Sequence, residues 1–198
     1  MKLAEETTEA IKHDILDKAF LRFGRYGFCK TTMAEIAKDC GMSAGNLYRY
    51  FDNKKEIAAG CAQRCMQQKL ELVREIIRDT NLSPDKKLQL FASDILEYIH
   101  EQFSNQPALM ELVDFVSRER WDIVAHYMGQ EKSLLSEILS EGNRSGHYNV
   151  SNVLETAKCI QASLIKFIGP RYMDAFSLEE LRKEANGVTT LLTAGFKT

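Results

Sequence analysis

Between Thr31 and Lys55 the chain reads TTMAEIAKDCGMSAGNLYRYFDNKK, and this spacing leaves room for little besides two short helices, a tight turn between them and the basic start of a third helix. Thr32 and Glu35 are placed as the two halves of a capping box, and Ile36 and Ala37 supply the apolar and small positions needed where two helices cross. Gly41 permits the left-handed backbone of a sharp turn. Ser43 then caps a second helix with Leu47 and Phe51 turned inward, leaving Ala44, Gly45, Asn46, Tyr48, Arg49 and Tyr50 outward. This is the pattern of a helix-turn-helix.

The outward face suits a DNA groove. Ala44 and Gly45 are small enough to let the backbone approach base edges or a thymine methyl group, and their N–H groups favour phosphate oxygens. Asn46 can pair with an adenine edge or a phosphate, and Arg49 with guanine or a phosphate; the sequence leaves both pairs of roles open. Tyr48 and Tyr50 carry hydroxyls on rigid rings that can hook phosphates. Lys54 and Lys55 open the next helix, where they can hold an anion.

The charge pattern agrees. Over the whole chain the net charge is −2, which by itself argues against nucleic acid. Between Lys18 and Lys55, however, eight basic residues face three acidic ones, a local excess of +5 that leaves −7 elsewhere. A basic end on an acidic body orients the chain on a duplex and makes affinity depend on salt.

From Ile15 to Ile57 the chain resembles the TetR family of bacterial transcriptional regulators. The resemblance rests on an amphipathic first helix with Phe20 and Phe23, then Gly27-Phe28, Thr31-Thr32, Ile36-Ala37, Gly41-Met42-Ser43, the run Gly45 to Phe51, and Lys54 with Glu56. It implies DNA contact by Thr32, Ser43, Ala44, Gly45, Asn46, Tyr48, Arg49, Tyr50 and Lys54. It also implies an all-α protein with an N-terminal three-helix DNA-binding domain over residues 1–52. A helical effector-binding and dimerisation domain follows over 53–198, with the helix at 53–79 connecting the two.

The rest of the chain supports the all-α reading. Three prolines, at 84, 107 and 170, and scarce strand-like alternation leave long stretches at helical spacing. Ile57, Cys61, Cys65, Leu72, Ile76 and Ile77 mark the connecting helix. Ser83-Pro84 opens another, Pro107 a shorter one, and a further helix runs from about Arg120 to Arg144. Their aromatic and flexible residues Phe91, Tyr98, Phe103, Met110, Phe115, Trp121, Tyr127, Met128 and Phe167 can line an apolar effector cavity or simply pack a core.

In the last two helices, Ala157, Ile160, Leu164 and Ile168, and then Leu181, Val188 and Leu192 behind a Ser177–Glu180 capping box, form apolar stripes. Such stripes serve a core or an interface equally well; the resemblance points to a homodimer, with half-sites about 34–36 Å apart on a palindromic operator.

The remaining chemistry is sparse. Five cysteines, at 29, 40, 61, 65 and 159, read as reduced structural thiols, although Cys61 and Cys65 share a helix face and leave a sensor role open. His13, His100, His126 and His147 are scattered, and no phosphate-binding glycine loop, zinc-protease motif or nucleophile elbow is found. The expectation is a regulator with no enzymatic activity, metal or cofactor. With no signal peptide or apolar run of about 18 residues, it is expected in the cytoplasm, away from membranes. Its partners are then double-stranded operator DNA, a second copy and a small apolar or aromatic effector that releases a repressor; the alternative is a partner-controlled or architectural DNA binder without an inducer.

Overall fold

The computed structural model describes residues 2–104 and 106–197, and side chains from residue 8 onward. The described residues form α1 (Lys2–Tyr26), α2 (Met33–Asp39), α3 (Ala44–Leu47), α4 (Lys54–Arg78), α5 (Pro84–Phe103), α6 (Leu109–Glu119), α7 (Trp121–Arg144), α8 (Val153–Ile168), a 3₁₀ turn (Pro170–Tyr172) and α9 (Leu178–Phe196). The protein is all-α, with the three N-terminal helices and the C-terminal helical bundle expected.

Local chemistry sets most helix ends. Ser83 Oγ accepts the Lys86 N–H at 3.3 Å and Pro84 takes the first helical position of α5. Asn152 caps α8 by accepting from Glu155 N–H at 3.1 Å, and the Ser177–Glu180 capping box opens α9. Pro107 does not begin α6: residues 107–108 form a turn, Ala108 offers no side-chain cap, and the helix starts at Leu109.

Two compact units result. The first comprises Met1–Cys65 and Gln106–Val124, the second Met66–Asn105 and Ala125–Thr198. This division departs from a boundary at residues 52/53, because the early part of α4 and all of α6 pack with the N-terminal helices. Ile57, Ala58 and Cys61 of α4 are buried, and Cys61 Sγ lies 3.4 Å from the Leu16 carbonyl. From α6, Phe115 stacks on Phe28 at 4.7 Å, and Phe28 meets Phe23 edge-on at 5.6 Å.

In the second unit α5 packs against both α8 and α9, which also pack on each other. Its core includes Phe91, Ile95, Ile99, Leu135, Ile138, Leu164 and Leu181. Lys87 is buried there, but its ammonium is fully bonded: it donates to Ile77 O at 2.9 Å and to both Glu141 oxygens at 2.9 and 2.7 Å.

Candidate nucleic-acid interface

The helix-turn-helix is built by short-range bonds. Thr32 has an extended backbone, its hydroxyl accepts the Glu35 N–H at 3.3 Å, and Glu35 Oε2 accepts the Thr32 N–H at 2.8 Å. Met33, Ile36 and Ala37 are the buried face of α2. At its other end Met42 N–H donates to Ala37 O at 3.0 Å and Gly41 N–H to Lys38 O at 3.1 Å, with Gly41 at φ +67°. That pair of bonds is a Schellman closure, which needs the left-handed conformation at Gly41. The chain then turns directly into Ser43, whose hydroxyl accepts from Asn46 N–H at 3.2 Å.

The second helix is shorter than its sequence suggests. It is α-helical over Ala44–Leu47, and residues 48–50 continue as tighter turns in which Arg49 N–H bonds Asn46 O at 3.1 Å and Tyr50 N–H bonds Leu47 O at 3.0 Å. Leu47 is fully buried and anchors the element; Phe51 is half-buried rather than enclosed. Thr32, Ser43, Gly45, Tyr48 and Arg49 are exposed, while Ala44, Asn46 and Tyr50 are half-buried. Eight of the nine residues matched to DNA contact thus lie on or beside one short turn-linked segment.

Lys54 is placed differently. Its ammonium donates to the carbonyls of Phe28 at 2.6 Å, Thr31 at 2.7 Å and Cys29 at 3.2 Å, and sits 4.5 Å from the centre of the Phe28 ring. An ammonium has three donors, so this arrangement uses them all. Lys55 pairs with Glu119. Neither lysine is held out toward an anion.

The loop between α1 and α2 is fixed from a second side by Glu111 of α6, which accepts the Cys29 N–H at 2.7 Å. Gly27, at φ +88°, lies so close to that carboxylate that a Cβ would meet Glu111 Oε2 at 2.8 Å. Thr31 Oγ1 closes the loop by donating to Gly27 O at 2.8 Å. Sequence reasoning missed both Glu111 and this function of Lys54, since their partners lie 82 and 23 to 26 residues away.

Two carboxylates tie α2 electrostatically. Arg22 of α1 grips Asp39 through Nε and through Nη2, the latter at 3.0 Å, and lies 3.5 Å from Glu35. These Arg22 hydrogen bonds hold the Asp39 carboxyl below its usual range, and the Thr32 hydroxyl and N–H do the same for Glu35.

The aromatic set expected around an effector is divided. Met110, Phe115 and Trp121 belong to the first unit; Phe91, Tyr98, Phe103, Tyr127, Met128 and Phe167 belong to the second. Phe115 is packing for Phe28, and Trp121 is 57% exposed, so neither lines an enclosed space in the second unit.

The second unit instead contains a polar cluster that its helical periodicity did not reveal. Buried Glu131 of α7 accepts from the Tyr127 hydroxyl and from Gln161 Nε2 of α8 at 2.7 Å; Gln161 also bonds Met128 O at 3.0 Å. Buried Lys69 of α4 lies 4.3 Å from the Tyr127 ring centre and 3.5 Å from Ile168 O. The available signal was the Tyr127–Glu131 spacing of four, which puts a carboxylate on the same helix face as a core aromatic.

The apolar stripes of α8 and α9 pack largely within the single chain. Ala157, Ile160, Leu164, Ile168 and Leu181 are buried within the single chain, and Val188 and Leu192 are half-buried. The five buried residues are core because these faces of α8 and α9 are turned toward the chain's own bundle, and Val188 and Leu192 lie at its margin. The apolar residues left outward are Leu154, Ile165 and Leu191, at 64%, 56% and 76% exposure.

Among the described residues no group of three or more His, Cys, Asp and Glu is placed to hold a metal, and no helix is long and apolar enough to cross a membrane. Burial pushes the Cys61 thiol far up, which favours its protonated form.

A capped two-helix reader in one unit and a helical bundle in the other are the parts of a DNA-binding transcriptional regulator. Residues 15–61 match the model for bacterial regulatory proteins of the tetR family, and residues 84–189 match the tetracyclin repressor-like C-terminal domain. The chain belongs to the TetR family. It is 27% identical over 139 residues to the fatty acid metabolism regulator protein of Bacillus subtilis, a match covering 67% of this chain and 68% of that one. Among solved structures, a TetR-family regulator from Mesorhizobium loti superposes with a TM-score of 0.78 at 14% identity, covering 96% and 98% of the two chains. The fatty acid degradation regulator FadR from Bacillus halodurans gives 0.71 at 18% identity, covering 90% and 93%.

Proposed function

We propose that the protein is a homodimeric repressor that binds a palindromic operator and is released from it by a small apolar effector. The observation that carries the DNA-binding part is the Schellman closure at Gly41, which leads straight into the Ser43-capped turn and leaves Gly45, Tyr48 and Arg49 exposed. A reader of this size contacts a few base pairs, so a second copy across a two-fold axis is what gives it useful specificity.

Two features support the effector. Buried Lys69, Glu131 and Gln161 introduce oriented polar groups around Tyr127 in a largely apolar core, a mixture suited to a ligand with an apolar body. Two proteins similar to this chain are named for fatty acid metabolism or degradation. The ligand acts by population shift, binding better to a conformer whose two readers are wrongly spaced.

Selection from a random duplex pool at near-physiological salt tests this reading. A two-fold symmetric motif is the expected result; a monomeric protein that enriches no sequence would overturn it. Saturated and unsaturated fatty acids added to the selected duplex then test release.

A further inference from the structure

We propose that Lys30, rather than Lys54, is the cation through which the α1–α2 edge of the reader meets the DNA backbone, and that Lys54 is the clasp shaping the loop that presents it. This rests on the DNA-binding reading above.

Lys54 cannot serve both purposes at once. Its three donors hold the carbonyls of Phe28, Cys29 and Thr31, and its charge lies against the Phe28 ring. Reaching a phosphate would break three charge-assisted bonds and release the loop they define. Phe28 and Thr31 are buried by that loop, whereas Cys29, Lys30 and Thr32 are exposed. With the Glu111 carboxylate on the Cys29 N–H and the Thr31 hydroxyl on Gly27 O, the backbone on both sides of Lys30 is tied down. Lys30 therefore projects from a rigid platform two residues before Thr32.

Three of the cations nearby already have carboxylate partners. Lys18 is paired with Asp14, Arg22 with Asp39 and Lys55 with Glu119. Among the described residues, no carboxylate lies within ion-pair distance of Lys30, so its charge is not neutralised by a neighbour. A lysine on a fixed loop, left uncompensated at the edge of a DNA reader, is suited to a phosphate as a point charge.

Salt dependence separates the two lysines, because each phosphate contact contributes about −0.9 to the slope of log affinity against log salt. The experiment titrates binding of the full-length protein and its variants to one fixed duplex over a range of salt. Lys30→Ala removes one contact from each of the two readers of the dimer, so it is expected to make the slope shallower by about 1.8 and to weaken cognate and scrambled duplexes alike. Lys30→Arg keeps the charge and is expected to keep the wild-type slope. Lys54→Ala is expected to lower the melting temperature and overall affinity along a line parallel to wild type.

A wild-type slope for Lys30→Ala overturns the assignment whether or not the Lys54 variant folds. A Lys54→Ala slope shallower by the same amount also overturns it. If wild-type protein binds no duplex at any salt, the DNA-binding reading itself fails, a result distinct from either of these.

Discussion

At the residue scale, Gly41 shows what a local sequence signal can and cannot conceal. Its φ of +67° is the reason for glycine, since a Cβ built there meets no atom within 4 Å. Gly41→Ala therefore isolates backbone strain from steric clash, and is expected to destabilise the protein by about 1–2 kcal/mol in denaturant unfolding, with Gly41→Asn costing less. This requirement was legible because the Schellman bonds span at most five residues. Lys54 was not legible, because the carbonyls it holds belong to a loop that only tertiary folding brings to it. The reader's exposed side chains divide in a testable way. Asn46→Ala is expected to change preference among duplexes by about 1–3 kcal/mol at one base position, whereas Tyr48→Phe should weaken all duplexes by a similar factor. Equal losses on cognate and scrambled duplexes for Asn46→Ala would remove that side chain from base readout.

At the element scale, α2 is only seven residues long and depends on its ends. Thr32→Ala removes the cap and is expected to cost about 1 kcal/mol. The same element carries a pH dependence. Glu35 and Asp39 ionise more readily in the folded protein than in the unfolded chain, because Thr32 and Arg22 bond their charged forms. Their contribution is therefore complete above the ordinary carboxylate range and is lost as pH falls through the lowered folded values. Hydrogen-exchange protection over residues 32–39, referred to the intrinsic exchange rate at each pH, should fall on acidification into that range, and Thr32→Ala should blunt the Glu35 part of the response. Periodicity revealed that α8 and α9 are amphipathic helices but not which neighbour each face meets. The stripe from Ala157 to Ile168 reads identically whether α5 of the same chain or another subunit covers it; here the bundle's own helices do. The start of α6 was misplaced for a related reason: Pro107 fits a first helical position, yet the Pro107 carbonyl accepts the Met110 N–H at 3.1 Å in a turn instead.

At the scale of the whole molecule, the packing of that stripe within the chain leads us to propose the opposite faces of α8 and α9 as the dimer surface. Leu191 is 76% exposed on α9, with Gly187 and Gly195 one turn to either side leaving room for close approach, and Leu154 and Ile165 project from α8. Exposed leucines scattered singly are ordinary on a protein surface, so mutation must separate an interface from a core. Leu164→Ala, deep in the bundle, is expected to cost about 2–5 kcal/mol of folding stability. Leu191→Arg should leave subunit stability within about 0.5 kcal/mol, since a solvent-facing position loses no core packing. If the two readers act on one operator through this surface, the same substitution should convert the protein to a monomer in sedimentation. It should also weaken palindromic operator binding by roughly 10²–10⁴-fold, because the second reader is no longer delivered at high effective concentration. Binding to a single half-site should be unchanged. A Leu191→Arg protein that stays dimeric and binds the palindrome normally would place the subunit contact elsewhere.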